Sequence, residues 1–336
     1  MAEIFAIVIP YYQRDPLVLR RAVRSILAQK VPKNIEVKIV IADDSSPCPP
    51  SESLNNLDIK PPFVLKLLKQ KNGGAASARN LGLASLSEDM PKYCAFLDSD
   101  DEWLPGHIKD AVEHIDKGAD FWFTDSYDDE GRTSFSYQNY MISRHDIGEN
   151  SQPVIRALEG QEAFNEILED CLPHTSTVVF HYRKSPQLRF DTTLKIAGED
   201  HLFWISAIAA SSKVMYSTAL RGRRGEGVSI FRHNLNWDSP NAIDIAIYQT
   251  LLRERISTLF DLTAEQRSRN EEKRQKHYDR LTFLITRKLL KKPSSVGGNL
   301  KKANALLKNY KRQIPGSVLR LPSHRADIRH KLNSAL

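Results

Sequence analysis

In the first third of this chain, short apolar runs end in acidic or turn-forming residues and then give way to helical periodicity, and that alternation leaves few folds open to it. Ile4 to Ile9 reads as a strand stopped by Pro10. Asp15 then caps a helix with Pro16 at its first position, and Leu19, Val23, Ile26 and Leu27 recur on one face. Glu36 to Ala42 is a second strand, ending in Asp43-Asp44-Ser45-Ser46, and the prolines at 47, 49 and 50 forbid its continuation as strand or helix. A third strand, Phe63 to Leu68, leads through Asn72-Gly73-Gly74 into a small-residue helix from Ala75 to Leu83. Tyr93 to Leu97 is a strand ending at Asp98, Pro105 starts a helix with Ile108, Ala111, Val112 and Ile115 on one face, and residues 120–124 return to strand. This order predicts an α/β fold, a mostly parallel sheet flanked by helices, with ligands bound at the carboxyl edge of the strands.

Periodicity fades between 126 and 155, which reads as an inserted loop or small hairpin. Glu159 to Glu169 is predicted helical, Thr175 to Tyr182 strand, Glu199 to Ala210 helical and Val214 to Ser217 a final short strand. Beyond Asn241 the pattern is helical to Lys292, broken at Pro293 and Gly297-Gly298, and helical again from Leu300 to Tyr310. The expected organisation is one domain over 1–240, with a nucleotide-binding half (1–125) and an acceptor half (126–240), followed by a basic helical extension (241–336).

With 41% apolar and 26% charged residues, disorder of the whole 336-residue chain is excluded. Cys48, Cys94 and Cys171 lie far apart, so neither a disulfide framework nor a zinc site is expected. The unpaired cysteines fit a reducing, cytoplasmic setting; Ile4 to Ile9, with no basic leader before it, reads as a core strand, and without a run of the ~20 apolar residues that a spanning helix needs the chain is not expected to cross a membrane by itself. Charge is uneven. Residues 264–336 hold 19 Lys/Arg and 5 Asp/Glu, against 29 and 36 in the rest. A basic region on an acidic body fits an anionic surface, and a set of solvated helix faces fits equally.

Three acidic clusters could carry chemistry. Asp98 and Asp100 are two apart just past a strand, where alternate residues point the same way and can reach one divalent cation; Asp101 could simply cap the following helix. Asp43 and Asp44 could accept hydrogen bonds from a base imide or a ribose, or form an Asx turn before Pro47. Glu199 and Asp200 open an apolar helix, where one carboxylate could take a proton from an alcohol, although acids are also common in first helical turns. Arg221, Arg223 and Arg224 precede Gly225-Glu226-Gly227, a basic loop suited to phosphates, and His233 beyond it reads as solvent-facing or as a metal ligand. The Gly73-Gly74 turn lacks a dinucleotide fingerprint, and no Walker sequence occurs.

Val8-Ile9-Pro10-Tyr11-Tyr12, Ala42-Asp43-Asp44-Ser45-Ser46, Asn72-Gly73-Gly74 with Ala78-Arg79-Asn80-Leu81-Gly82, Phe96 to Trp103 and Gly198-Glu199-Asp200 follow one another in an order that resembles family 2 glycosyltransferases. The likeness spans residues 4–235, and Arg224 to Val228 is similar to the succinoglycan-type exopolysaccharide glucosyltransferases. The resemblance implies a GT-A fold, a UDP-sugar donor with glucose favoured, Mn²⁺ or Mg²⁺, and inversion at the anomeric carbon. It also implies site roles. Pro10 and Tyr11 would line the base pocket, Asp43 or Asp44 would bind uracil or ribose, and Arg79, Ser99 and Arg224 would lie at the nucleotide sugar. Asp100 would hold the metal, Asp98 the metal or ribose, Asp200 would be the base and Glu199 its support. The Gln-x-x-Arg-Trp motif and spanning helices of processive members are missing from the sequence, so single addition is expected. The implied acceptor is a saccharide, lipid-diphosphate-linked, reached by docking the basic C-terminal region on an anionic membrane; a nucleic acid partner is not expected. The competing readings are a non-catalytic nucleotide-sugar or glycan-binding protein on the same scaffold, and a phosphatase or nucleotidyltransferase, which would want its Asp-x-Asp after the first strand.

Overall fold

A computed structural model describes residues 2–134, 153–171, 173–225, 239–291 and 296–308. His233, most of the basic loop after Gly225 and the tail from 309 lie outside the described residues. The chain forms two compact units: Met1–Lys195 with Glu199–Val228, and Ile196–Gly198 with Ser229–Leu336.

The first unit is built on a mixed sheet. Strands β1 (Glu3–Tyr11), β2 (Ile35–Asp43), β3 (Phe63–Lys69) and β4 (Tyr93–Phe96) are mutually parallel in the order β3-β2-β1-β4. The sheet continues through β8 (Val179–His181), β6 (Phe121–Tyr127) and β9 (Lys213–Arg223) to β5 (Glu102–Trp103), and β7 (Ile155–Glu159) also pairs with β9. Among the described residues, five helices belong here: α1 (Pro16–Leu27), α3 (Ala75–Ala84), α4 (His107–Asp116), α5 (Gly160–Glu169) and α6 (Glu199–Ala209), besides the short α2 (Pro50–Leu54).

Alternation along β1 explains the two layers. Ile7 and Ile9 join Ile39 and Ile41 of β2, Leu19 and Ile26 of α1, and Ile108 and Ile115 of α4 in one buried cluster. Val8 points to the other face, where α3 comes so close that a Cβ on Gly82 would lie 2.4 Å from a Val8 methyl. An aromatic group on Phe96, Phe190, Phe203 and Trp204 fastens α6 to the sheet, with the Phe190 and Phe203 rings stacked at 4.1 Å.

Several elements depart from the sequence reading. Pro10 does not stop β1, which runs on to Tyr11. Val8 directs its carbonyl toward β4, accepting from Leu97, so Pro10 faces the same side two residues on, where β4 has already turned away and no amide is required. The prolines that follow Ser46 do not exclude helix either: Pro50 opens α2, where a missing N–H is harmless. The strand expected over 175–182 shrinks to Val179–His181, because the Thr177 amide and hydroxyl both donate to the His174 carbonyl and close a 3-10 turn. β9 extends six residues past Ser217, through register shifts against β6.

The second unit contains α7 (Ala242–Leu259), α8 (Ala264–Lys291) and α9 (Gly297–Leu306). The helical pattern expected beyond Asn241 is interrupted at 260–263, between α7 and α8. Thr263 and Gln266 exchange bonds, the Thr263 amide donating to the Gln266 side chain at 2.9 Å and the Gln266 amide to the Thr263 hydroxyl at 3.3 Å. That is a capping box, legible in Thr263-Ala264-Glu265-Gln266. Tyr278 of α8 donates to Glu254 of α7 at 3.1 Å. Among the described residues no helix is long and apolar enough to cross a membrane.

Candidate active site

The parallel register that pairs Tyr11 with Asp43 brings the carboxyl ends of β1, β2 and β4 side by side, and with them the first two acidic clusters. Their members have different surroundings. Asp44 accepts from the Gly73 and Gly74 amides, each at 2.8 Å, and from the Gln70 side chain at 2.7 Å, so both its oxygens hold the glycine turn before α3. Gly74, at φ +88°, needs that turn. The Asp43 side chain is engaged through Oδ1, which accepts the Ser46 amide at 2.7 Å. Pro10 is buried, and the Tyr11 ring lies in the core, donating its hydroxyl to the Cys48 carbonyl at 2.9 Å; Tyr12 is the exposed aromatic at this strand end.

Past β4 the chain turns sharply. The Asp101 amide donates to the Asp98 carbonyl at 3.0 Å, leaving Asp98 and Asp100 partly exposed while Ser99 and Asp101 are buried. Ser99 receives a bond from the Gln13 side chain at 3.1 Å, which ties the turn to the end of β1. Arg79, on α3, donates through one nitrogen to Asp98 at 2.7 Å and through the other to Glu199 at 3.3 Å, and its guanidinium lies 5.2 Å from the centre of the Phe190 ring. Burial by itself would lower the Arg79 pKa; the charges of Asp98 and Glu199 overcome this and raise it. The guanidinium is therefore a fixed cation joining the Asp98 cluster to the Glu199 cluster.

Glu199 and Asp200 open α6. Burial, and then the negative charge of Asp200, push Glu199 up to about 7 against the opposing pull of Arg79. Asp200 is partly exposed, and its Oδ1 accepts the His201 amide at 2.7 Å. Asp101 is likewise raised to about 7, by burial and then by the charge of Asp98, against bonds from Ser176 and Gly225. Arg224, at the end of β9, donates to the Arg132 carbonyl at 2.7 Å and lies 3.7 Å from Asp128.

Gln13 and Ser176 are members of this constellation that motif reading did not single out for a role, and Asp101 reads there only as a helix cap. Ser176 lies inside the stretch read as a strand, and Gln13 follows the first strand without belonging to any motif, so no pattern marks either.

Asp98 and Asp100 offer oxygen ligands only, two positions apart on one turn, which suits Mg²⁺ or Mn²⁺. Among the described residues no group of three or more His, Cys, Asp or Glu gathers to hold a metal. Two carboxylates with substrate phosphates and water completing the shell is the usual arrangement for Mg²⁺ at a diphosphate, so the residues fit.

A mostly parallel central sheet with acidic clusters at its carboxyl edge and a further acid pair opening α6 has the GT-A architecture of glycosyltransferases. The solved structure of S. aureus TarS 1-349 with UDP-GlcNAc superposes with a TM-score of 0.59 at 16% identity, covering 100% of this chain and 92% of that one. The description "Glycosyl transferase family 2" matches residues 6–178, and the chain belongs to that family. The succinoglycan biosynthesis protein ExoW of Rhizobium meliloti (strain 1021) is 32% identical over 271 residues, 80% of each chain. The Escherichia coli UDP-Glc:alpha-D-GlcNAc-diphosphoundecaprenol beta-1,3-glucosyltransferase WfaP is 28% identical over 213 residues, 63% of this chain and 72% of that one.

Proposed function

We propose that this glycosyltransferase is an inverting, metal-dependent enzyme that transfers a hexose, glucose favoured, from a UDP-sugar to a hydroxyl of a lipid-diphosphate-linked saccharide in bacterial surface or exopolysaccharide synthesis. One observation carries the reading: Arg79 links the Asp98 turn to Glu199, so donor-side and acceptor-side acids form a single buried network. The similarity to WfaP, whose name specifies UDP-glucose and a lipid-diphosphate acceptor, supports the choice of substrates.

In this reading Asp43, with one carboxylate oxygen committed to Ser46, accepts from the uracil imide or ribose, while Asp44 shapes the turn beneath it. Asp100 and Asp98 would hold Mn²⁺ or Mg²⁺, which would supply positive charge to the departing diphosphate. Asp200 takes the proton from the acceptor hydroxyl as that oxygen attacks the anomeric carbon, and the α6 N-terminus stabilises the anionic carboxylate beforehand. Glu199, held by Arg79, keeps Asp200 in place. A single displacement on the face opposite the leaving group inverts the carbon. The enzyme adds one sugar per encounter and works on the cytoplasmic side, docked through the basic C-terminal region, of which 309–336 lie outside the described residues.

The test is donor hydrolysis across UDP-glucose, UDP-galactose, UDP-glucuronate and the N-acetyl sugars, with and without Mn²⁺, alongside Asp200→Asn. The expected result is metal-dependent turnover greatest with UDP-glucose, abolished in Asp200→Asn with UDP binding retained. Full activity in that variant rules out Asp200 as the base.

A further inference from the structure

Asp101 follows the two carboxylates read as metal ligands, and the sequence offers it as a helix cap. The structure gives it other work. The cap of α4 is Gly106, and Asp101 is buried at 4% exposure. Its Oδ2 accepts the Ser176 hydroxyl at 2.5 Å, and its Oδ1 accepts the Gly225 amide at 2.9 Å. The same Ser176 oxygen accepts the Asp98 amide at 3.0 Å, and the Ser176 carbonyl accepts the Trp103 indole at 2.6 Å. One serine thus holds the first residue of the turn, the last residue of the turn and the strand after it.

The opposite side is equally constrained. Glu102 and Trp103 pair with Arg223 and Gly222, so the end of β9 lies along the turn. A Cβ on Gly225 would sit 1.8 Å from the Asp100 carbonyl oxygen, which leaves no room for any other residue against the backbone of the ligand-bearing segment. Asp98 and Asp100 are therefore displayed on a loop whose backbone is clamped between Ser176 and Gly225, and Asp101 is the side chain that bonds to both.

We propose that Asp101, together with Ser176, is a positioning residue for the divalent cation: it sets the separation and direction of the Asp98 and Asp100 carboxylates without touching the cation itself. The proposal rests on the reading of Asp98 and Asp100 as metal ligands. Groups that orient ligands in this way change metal affinity by roughly 10–100-fold when removed. A role confined to stability would instead change melting and leave the metal response alone.

The experiment measures UDP binding by calorimetry across a Mn²⁺ series, and in EDTA, for the full chain and for Asp101→Asn and Ser176→Ala. Asp120→Asn is the comparison, a buried carboxylate that anchors Ser212 and Lys184 away from the turn. The expected result is a Mn²⁺ half-saturation raised at least roughly ten-fold in both turn variants, with UDP affinity in EDTA unchanged, while Asp120→Asn lowers only the melting temperature. Ser176→Ala removes one hydroxyl and adds no volume, so it keeps the test decisive if Asp101→Asn does not fold. Half-saturation within about twofold of the parent in the variants overturns the positioning role alone. UDP binding by the parent chain that is indifferent to Mn²⁺ and Mg²⁺ overturns the metal reading, and the positioning role with it.

Discussion

Replacing Arg79 with Met isolates the residue on which the proposed site depends. The methionine keeps most of the volume between α3 and Phe190 and removes the cation. Arg79 is 4% exposed, and its loss strands two carboxylates, Asp98 and Glu199, that are themselves mostly covered, at 28% and 18% side-chain exposure. Breaking a buried ion pair by removing one partner is destabilising by about 3–5 kcal/mol, which for a domain of this size lowers the melting temperature by on the order of 10 °C. The loss should depend on pH, with a definite sign. Glu199 already sits near 7, above its ordinary 4.5, and Arg79 is the largest influence holding it down. Without Arg79 the folded protein keeps that proton to still higher pH. It then binds more protons than the unfolded chain from about pH 4.5 to beyond 7, and stability falls as pH rises across that window. Melting followed by circular dichroism should therefore show a wide gap between parent and variant at pH 8 that narrows toward pH 5. A gap below ~2 °C at pH 8, or one of equal size at both pH values, would falsify the account of Arg79 as the buried counter-charge.

Other outcomes follow from the same geometry. Asp44→Ala should destabilise by about 1–3 kcal/mol, because the Gly73 and Gly74 amides lose their acceptor, whereas Asp43→Ala, which frees only the Ser46 amide, should destabilise by less and raise the KM for UDP-sugar; equal effects on both would remove the distinction drawn between them. The acid side of the kcat/KM profile should show a limb near pH 7 from Glu199, and Glu199→Gln should remove it from that range; a limb that stays assigns the titration elsewhere. Thr263→Ala should lose about 1 kcal/mol from the second unit through the broken capping box, with donor hydrolysis unchanged, as read by melting and turnover on one sample.

The order of β1 to β4 and their helices is written in the linear chain, since buried parallel strands must be continuous apolar runs and Asp15-Pro16 and Gly73-Gly74 mark helix starts by local chemistry. So is the placement of three acidic clusters at element ends, because each adjoins an apolar run in the sequence. What each acid is bonded to is set only when the chain folds. Asp43 and Asp44 are chemically identical neighbours, and they differ because the glycine turn bonds to one and not the other. Asp101 is indistinguishable from a cap until Ser176 and Gly225, 75 and 124 residues away, arrive at its two oxygens. Arg79 is a helical arginine in sequence, and becomes a buried bridge once Asp98 and Glu199, 120 residues beyond it, close around it. Hydrophobic periodicity is a local signal and survives in the linear chain; the role of a charge is set by its partners, and those are assembled only when distant segments meet.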